Sequence, residues 1–273
     1  MINANIFIRE LREYRNSVLI WCAFLSGFLI LGMVFYPVLM EGDVLQQMKA
    51  FFENQMIKNM LAAFGTNLEM MSNILGFYAG KNAIFITLFG SFFSIILASK
   101  ILSREEREQT AEFLLTKPIS RTEVVGSKLA VFLTCLVFLN IVLTAAGFLS
   151  LEIFKGDSEY PVAAFFCFAF YSFLLMLLFG AVGFFLSILI KRGRSMTNIS
   201  IGIIMGSYFF DVLSKVTPAA DMIGYISPFK FVPTDVLNPG YGIDGLRLLY
   251  FGGISALLFL LTFVIYRKKD ILV

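Results

Sequence analysis

Histidine is absent from this 273-residue chain, and with it go the usual general base, the usual proton relay and the commonest zinc ligand. Cysteine is scarce. Cys22, Cys135 and Cys167 all lie inside apolar runs, which leaves neither a disulfide framework in the loops nor metal-ligand spacing; they read as small hydrophobes. Charged residues make up only 15% of the chain, well below the roughly 25% of soluble domains. The net charge of +3 argues for neither a nucleic-acid footprint nor an acidic binding surface. No G-x-x-x-x-G-K-[ST] phosphate loop, HExxH or G-x-S-x-G elbow occurs, so nucleotide binding through a phosphate loop and the common hydrolytic chemistries have no visible machinery.

What remains is apolar. Hydrophobic residues reach 58%, thirty-two of the residues are Phe, and the mean hydropathy is +0.82. A single globular core of this size cannot hide so much apolar surface, so lipid has to cover the excess. Uncharged runs of the length a spanning helix needs occur six times, at 17–40, 82–99, 129–151, 161–190, 196–210 with some extension, and 248–266. The first follows Arg9, Glu10, Arg12, Glu13 and Arg15 and is too long for a signal h-region, so it is expected to be retained as a span.

Orientation follows from the basic residues near the spans. Arg9, Arg12 and Arg15 precede the first. Lys100, Arg104, Arg107, Lys117, Arg121 and Lys128 separate the second from the third, Lys191, Arg192 and Arg194 the fourth from the fifth, and Arg267, Lys268 and Lys269 follow the sixth. The alternate segments hold only Lys49, Lys58, Lys81, Lys155, Lys215, Lys230 and Arg247. The fifteen belong in the cytoplasm by the positive-inside rule, which predicts both termini there.

Segments outside the spans have patterns of their own. At 2–16, Ile6, Phe7, Leu11 and Tyr14 recur at helical spacing, as in a helix lying on the inner membrane surface or in an ordinary amphipathic lead-in. Between 41 and 81, Val44, Met48, Phe51, Phe52, Met56, Met60 and Phe64 mark one face of a helix suited to the membrane surface or to a lid. The segment 216–244 holds Pro218, Pro228, Pro233 and Pro239 and fits a re-entrant or capping structure better than a flexible linker.

The segment 104–128, REEREQTAEFLLTKPISRTEVVGSK, is overbuilt for a connection. Glu105, Glu106, Glu108 and Glu112 suit the first turns of a helix, and Phe113, Leu114 and Leu115 form an apolar knob. Pro118 stops that helix, and Ser120 with Glu123 makes a capping-box signature for the next. Two readings fit: a short helix made to sit in a groove on a soluble partner, or a solvated, charge-laced hairpin.

This stretch resembles the first cytoplasmic loop of type-2 ATP-binding-cassette (ABC) permeases, which often reads E-x-x-x-G-T-x-E-x-L-L-x-x-P-x-x-R-x-x-x-x-x-x-K. Glu105 or Glu106, Thr110, Glu112, Leu114, Leu115, Pro118, Arg121 and Lys128 fall on the matching positions. Gln109 stands where the family has glycine, which disfavours a positive-φ turn there. The resemblance implies an all-α polytopic membrane protein with six transmembrane helices, an amphipathic N-terminal helix, a cytoplasmic coupling helix and both termini cytoplasmic. It implies one membrane domain over 1–273, with an interface helix at about 1–16 and spans at about 17–40, 82–101, 129–154, 161–190, 196–215 and 246–266. A coupling loop then occupies 102–128, and outer segments occupy 41–81 and 216–245.

The implied role is a permease subunit of an exporter in the plasma membrane, paired with a second permease copy or homologue and coupled to a separate cytoplasmic ATPase. The coupling residues would be Glu105, Glu106, Arg107, Glu108, Thr110, Glu112, Phe113, Leu114, Leu115, Pro118 and Arg121. No cofactor is implied for this chain; ATP and Mg are expected in the partner ATPase.

Polar groups inside the spans are few. Asp211 and Lys215 stand four apart, as an ion pair near the outer interface would, and Glu152 with Lys155 invites the same reading. Gly202 and Gly206 form a G-x-x-x-G suited to close helix packing, within one copy or between two. Phe92, Phe93, Phe165, Phe166 and Phe170 are candidates to line an apolar cavity or to pack between helices. An ion-driven transporter lacks the repeats and mid-membrane carboxylates expected of it. A membrane scaffold that recruits a soluble partner shares the loop pattern.

Overall fold

The computed structural model describes residues 3–40, 54, 56–57, 67–107, 120–190, 196–216 and 220–268. Among these the fold is all-α, and six helical segments are long and apolar enough to cross a membrane. α1 is Ala4–Met40, α2 Leu68–Ser72 and α3 Ile74–Asn82. A π-helical stretch, Ala83–Phe89, joins α3 to α4, Gly90–Arg107. α5 is Arg121–Phe154, α6 Val162–Leu189, α7 Met196–Val216 and α8 Asp221–Gly224; after the 3₁₀ turn Pro228–Phe231 comes α9, Gly245–Lys268.

Of the two readings of 2–16, the structure has the amphipathic lead-in and not a separate surface helix. The lead-in forms the first turns of α1, a continuous helix of 37 residues, about 55 Å long against a hydrocarbon core of about 30 Å. One buried stripe explains the continuity: Ile6, Glu10, Tyr14, Val18, Cys22, Leu25, Leu29, Met33 and Tyr36 step by three or four residues across the expected boundary without a break. α1 packs mainly along α5, whose buried residues include Val124, Val131, Cys135, Leu139 and Leu143.

The second span begins earlier than its charge pattern suggests. The Asn73 side chain accepts from the backbone N–H groups of Leu75 and Gly76, which starts α3 at Ile74, ahead of Lys81 and Asn82. Residues 74–79 are buried throughout. At the other end α4 runs on to Arg107, so 105–107 close the second span rather than opening a new helix. No breaker intervenes, and Ser99 and Ser103 bond back to the Ile95 and Ser99 carbonyls within the helix. The Ser120–Glu123 capping box forms as the sequence indicates, with Ser120 Oγ accepting from the Glu123 N–H and the Ser120 N–H donating to Glu123 Oε2 at 3.0 Å.

The core is the pair α4 and α6. Ser94 Oγ donates across the interface to the Met176 carbonyl, and Ser99 Oγ reaches the Gly183 carbonyl at 3.3 Å. Gly183 permits this approach, because a Cβ there would stand 2.5 Å from the Ile95 carbonyl oxygen. Small residues at the contact and hydroxyls bonding across it are how helices associate where lipid competes for apolar surface. α9 packs against α6, and α7 lies against α4.

Candidate functional site

The ends of the helices that carry the basic clusters meet at one end of the bundle. At α1, the Asn3 N–H donates to Ser127 Oγ of α5 at 2.8 Å. At α4, Arg104 reaches Glu10 at 3.5 Å and Glu13 at 3.4 Å. Lys128, wholly buried on α5, donates to the Ile101 carbonyl of α4. Arg121 donates to the Arg267 carbonyl of α9 at 3.4 Å.

Four of the eleven candidate coupling residues belong to this end. Glu105, Glu106 and Arg107 lie on the last turn of α4, and Arg121 on the first turn of α5. Glu108, Thr110, Glu112, Phe113, Leu114, Leu115 and Pro118 lie outside the described residues, as does most of the outer face from Val44 to Phe64.

The opposite end carries a folded segment between α7 and α9. Ser227 caps the turn Pro228–Phe231, and the Phe229 ring packs on Phe179 at 5.4 Å and Tyr208 at 5.5 Å. Phe179 stands seventeen residues into α6, about 25 Å along its axis, so this segment penetrates the bundle. Phe231 stacks on Tyr250 of α9 at 4.0 Å. The buried Tyr171 hydroxyl of α6 donates to the Gly242 carbonyl at 3.2 Å and accepts from the Asp244 N–H at 2.8 Å, which fixes the strand of chain entering α9. Asp235, Asn238, Tyr241, Asp244 and Arg247 border an open cleft of about 350 Å³ beside it. Burial pushes the Tyr241 phenol well above its ordinary pKa, and its hydroxyl donates to the Pro233 carbonyl at 2.9 Å. The phenol beside α6, Tyr160, is likewise raised, by burial first and by its bond to Glu152 second.

The remaining sequence candidates separate. Lys215 Nζ lies 2.7 Å from Asp211 Oδ2, with the carboxylate 5% exposed, and Lys155 lies 2.6 Å from Glu152. Gly202 and Gly206 have no described atom within 4 Å of where a Cβ would stand, so close packing within one copy is not their role among the described residues. Phe93 and Phe165 are buried while Phe166 and Phe170 are exposed, so the five phenylalanines do not converge on one cavity. The sequence reading missed an aromatic group on α1 and the π-helical turn: Phe28 lies 4.4 Å from Phe85, Phe85 stacks on Phe89 at 6.0 Å, and Trp21 contacts Phe93 at 5.8 Å. A π-helical stretch leaves no compositional mark, so no pattern could have found it.

A family model described as multidrug efflux system permease Rv1217c, C-terminal domain, matches residues 10–267. The chain belongs to that family. Among curated proteins none matches it. The family match runs from Glu10, within the buried stripe of α1, to Arg267 on α9, so it covers all six apolar helices apart from the first six residues of α1 and the last residue of α9. A multi-pass membrane permease is therefore what the fold serves.

Proposed function

We propose that this permease is the membrane subunit of an ATP-binding-cassette exporter, and that a separate cytoplasmic ATPase docks on it through residues 105–121. The observation that carries the reading is the family match over residues 10–267, joined to the loop pattern between α4 and α5. In this reading ATP and Mg bind to the partner, a second permease copy or homologue completes the pathway, and the plasma membrane holds the complex with both termini in the cytoplasm. The family's description, multidrug efflux, supports outward transport of apolar, drug-like molecules.

The physical logic is a lever. The last turn of α4 and the capped first turn of α5 leave the loop between two long helices, so a force applied to the loop is delivered along both. Helices transmit such force because their backbone hydrogen bonds resist bending. The test is a mild-detergent pull-down from native membranes, with partners identified by mass spectrometry, for the native chain and for Glu106→Arg combined with Leu114→Asp. The native chain is expected to retain a phosphate-loop ATPase in stoichiometric amount, and the double variant to insert normally but lose it. Retention of the ATPase by that variant, with undiminished efflux, would overturn the docking assignment. Binding of some other soluble protein without transport would favour a scaffold.

A further inference from the structure

Glu10 lies on the stripe that packs α1 against the bundle, and it is fully buried. A carboxylate withdrawn from water is costly unless other groups compensate its charge. Arg9 supplies one contact at 2.7 Å, but it is a half-exposed neighbour on the same helix. The contact that joins two helices is Arg104 of α4, whose guanidinium lies 3.5 Å from Glu10 and 3.4 Å from Glu13. Arg104 stands three residues before the end of α4, at the root of the loop between α4 and α5. The other root is held as well, by buried Lys128 on the Ile101 carbonyl and by Ser127 on Asn3.

We propose that Glu10 is a positioning residue which, through Arg104, latches α1 to the root of the cytoplasmic loop, so that displacement of the loop carries α1 with it. The proposal rests on the coupling reading above. Its physical basis is the contrast between two kinds of contact. α1 packs along α5 over most of its length but touches α4 sparsely, so apolar packing alone gives α4 little hold on α1. One guanidinium shared between carboxylates three residues apart fixes both the height and the rotation of α1, which smooth apolar side chains do not. A buried ion pair adds little net stability over an apolar pair of similar size. Register is what it adds here.

The test uses the full chain in complex with its co-purified ATPase, comparing the native protein with Glu10→Gln/Arg104→Gln. Removing both charges leaves no buried ion without a counter-charge, because Arg9 and Glu13 are both half-exposed, and thermal unfolding in detergent checks that the variant is folded. Hydrogen–deuterium exchange is followed at residues 96–107 and 4–16, before and after trapping with ATP and vanadate. In the native complex trapping is expected to change exchange at both segments by at least about twofold. In the double variant the change at 96–107 should persist and the change at 4–16 should vanish. Arg104→Lys, which keeps the charge without the fork, should restore part of the response at 4–16. An unchanged response at 4–16 in the double variant would overturn the latch while leaving coupling intact. No response at 96–107 in the native complex would overturn the coupling reading, and the latch with it.

Discussion

A Cβ added to a glycine tests a contact only when the atom it meets cannot yield, and two glycines of the central helix pair differ in just this respect. At Gly183 the neighbour is the Ile95 carbonyl oxygen, 2.5 Å from the added carbon, with the Ala98 Cβ at 3.1 Å. Both belong to the α4 backbone or its shortest side chain, so the helices themselves must separate. At Gly90 the neighbour is the end of the Met176 side chain, an unbranched chain with several rotors. Gly183→Ala is therefore expected to cost about 1–3 kcal/mol and to lower the thermal midpoint in detergent, whereas Gly90→Ala should shift it far less. Equal losses would mean that Met176 is as fixed as the backbone. At the same scale, Asp211 is buried with Lys215 one turn away at 2.7 Å, the pairing that the sequence spacing implied. Glu10 is the harder case. It stands among Arg9, Arg12, Glu13 and Arg15 in the sequence, and only the tertiary contact with α4 shows that it points inward.

Whole elements were legible where a local signal stops the helix. Ser120 and Glu123 mark the start of α5 because the cap satisfies N–H groups that have no partner in the helix. Pro161 and the basic residues after Ile190 bracket α6, whose observed limits, Val162–Leu189, fall within a residue of the apolar run. The starts of α1 and α3 were not legible for the same physical reason. A charged residue ends an apolar run but does not end a helix, so α1 continues back through Arg15 to Ala4, and α3 starts where Asn73 caps it. The segment between α7 and α9 shows a different limit. Its prolines announced turns, but its depth depends on the Phe229 ring meeting Phe179, fifty positions away in the sequence, and Tyr208. Tyr171 is the element-scale anchor of that segment. Tyr171→Phe removes a donor to Gly242 and an acceptor from Asp244 while keeping the ring buried. It should cost about 1–2 kcal/mol and raise hydrogen exchange across 233–244 with little change in α6. Unchanged exchange there would assign the hold to Phe229 and Phe231 instead.

At the scale of the whole molecule, one arrangement reconciles charge with packing. The amino end of α1, the carboxyl end of α4, the amino end of α5 and the carboxyl end of α9 are joined by contacts among Asn3, Glu10, Arg104, Ser127, Lys128, Arg121 and Arg267. These ends carry most of the fifteen basic residues that the sequence places on one side. An assembly that gathers these four basic ends at one face is expected to take a single orientation in a membrane with an anionic inner leaflet and a positive-inside bias. That orientation puts Asn5 and Lys268 inside, and Asp157 and Tyr225 outside; all four are exposed. In a chain with Cys22, Cys135 and Cys167 replaced by Ala, single cysteines at these positions make the expectation measurable in intact cells. Asp157→Cys and Tyr225→Cys should react with a membrane-impermeant maleimide added outside. Asn5→Cys and Lys268→Cys should react only after permeabilisation. The reverse pattern would place the loop between α4 and α5 outside, beyond reach of any cytoplasmic ATPase. Coupling and latch would then fall together, while the six-helix fold would stand, because the helix packing that defines it does not depend on which leaflet faces the cytoplasm.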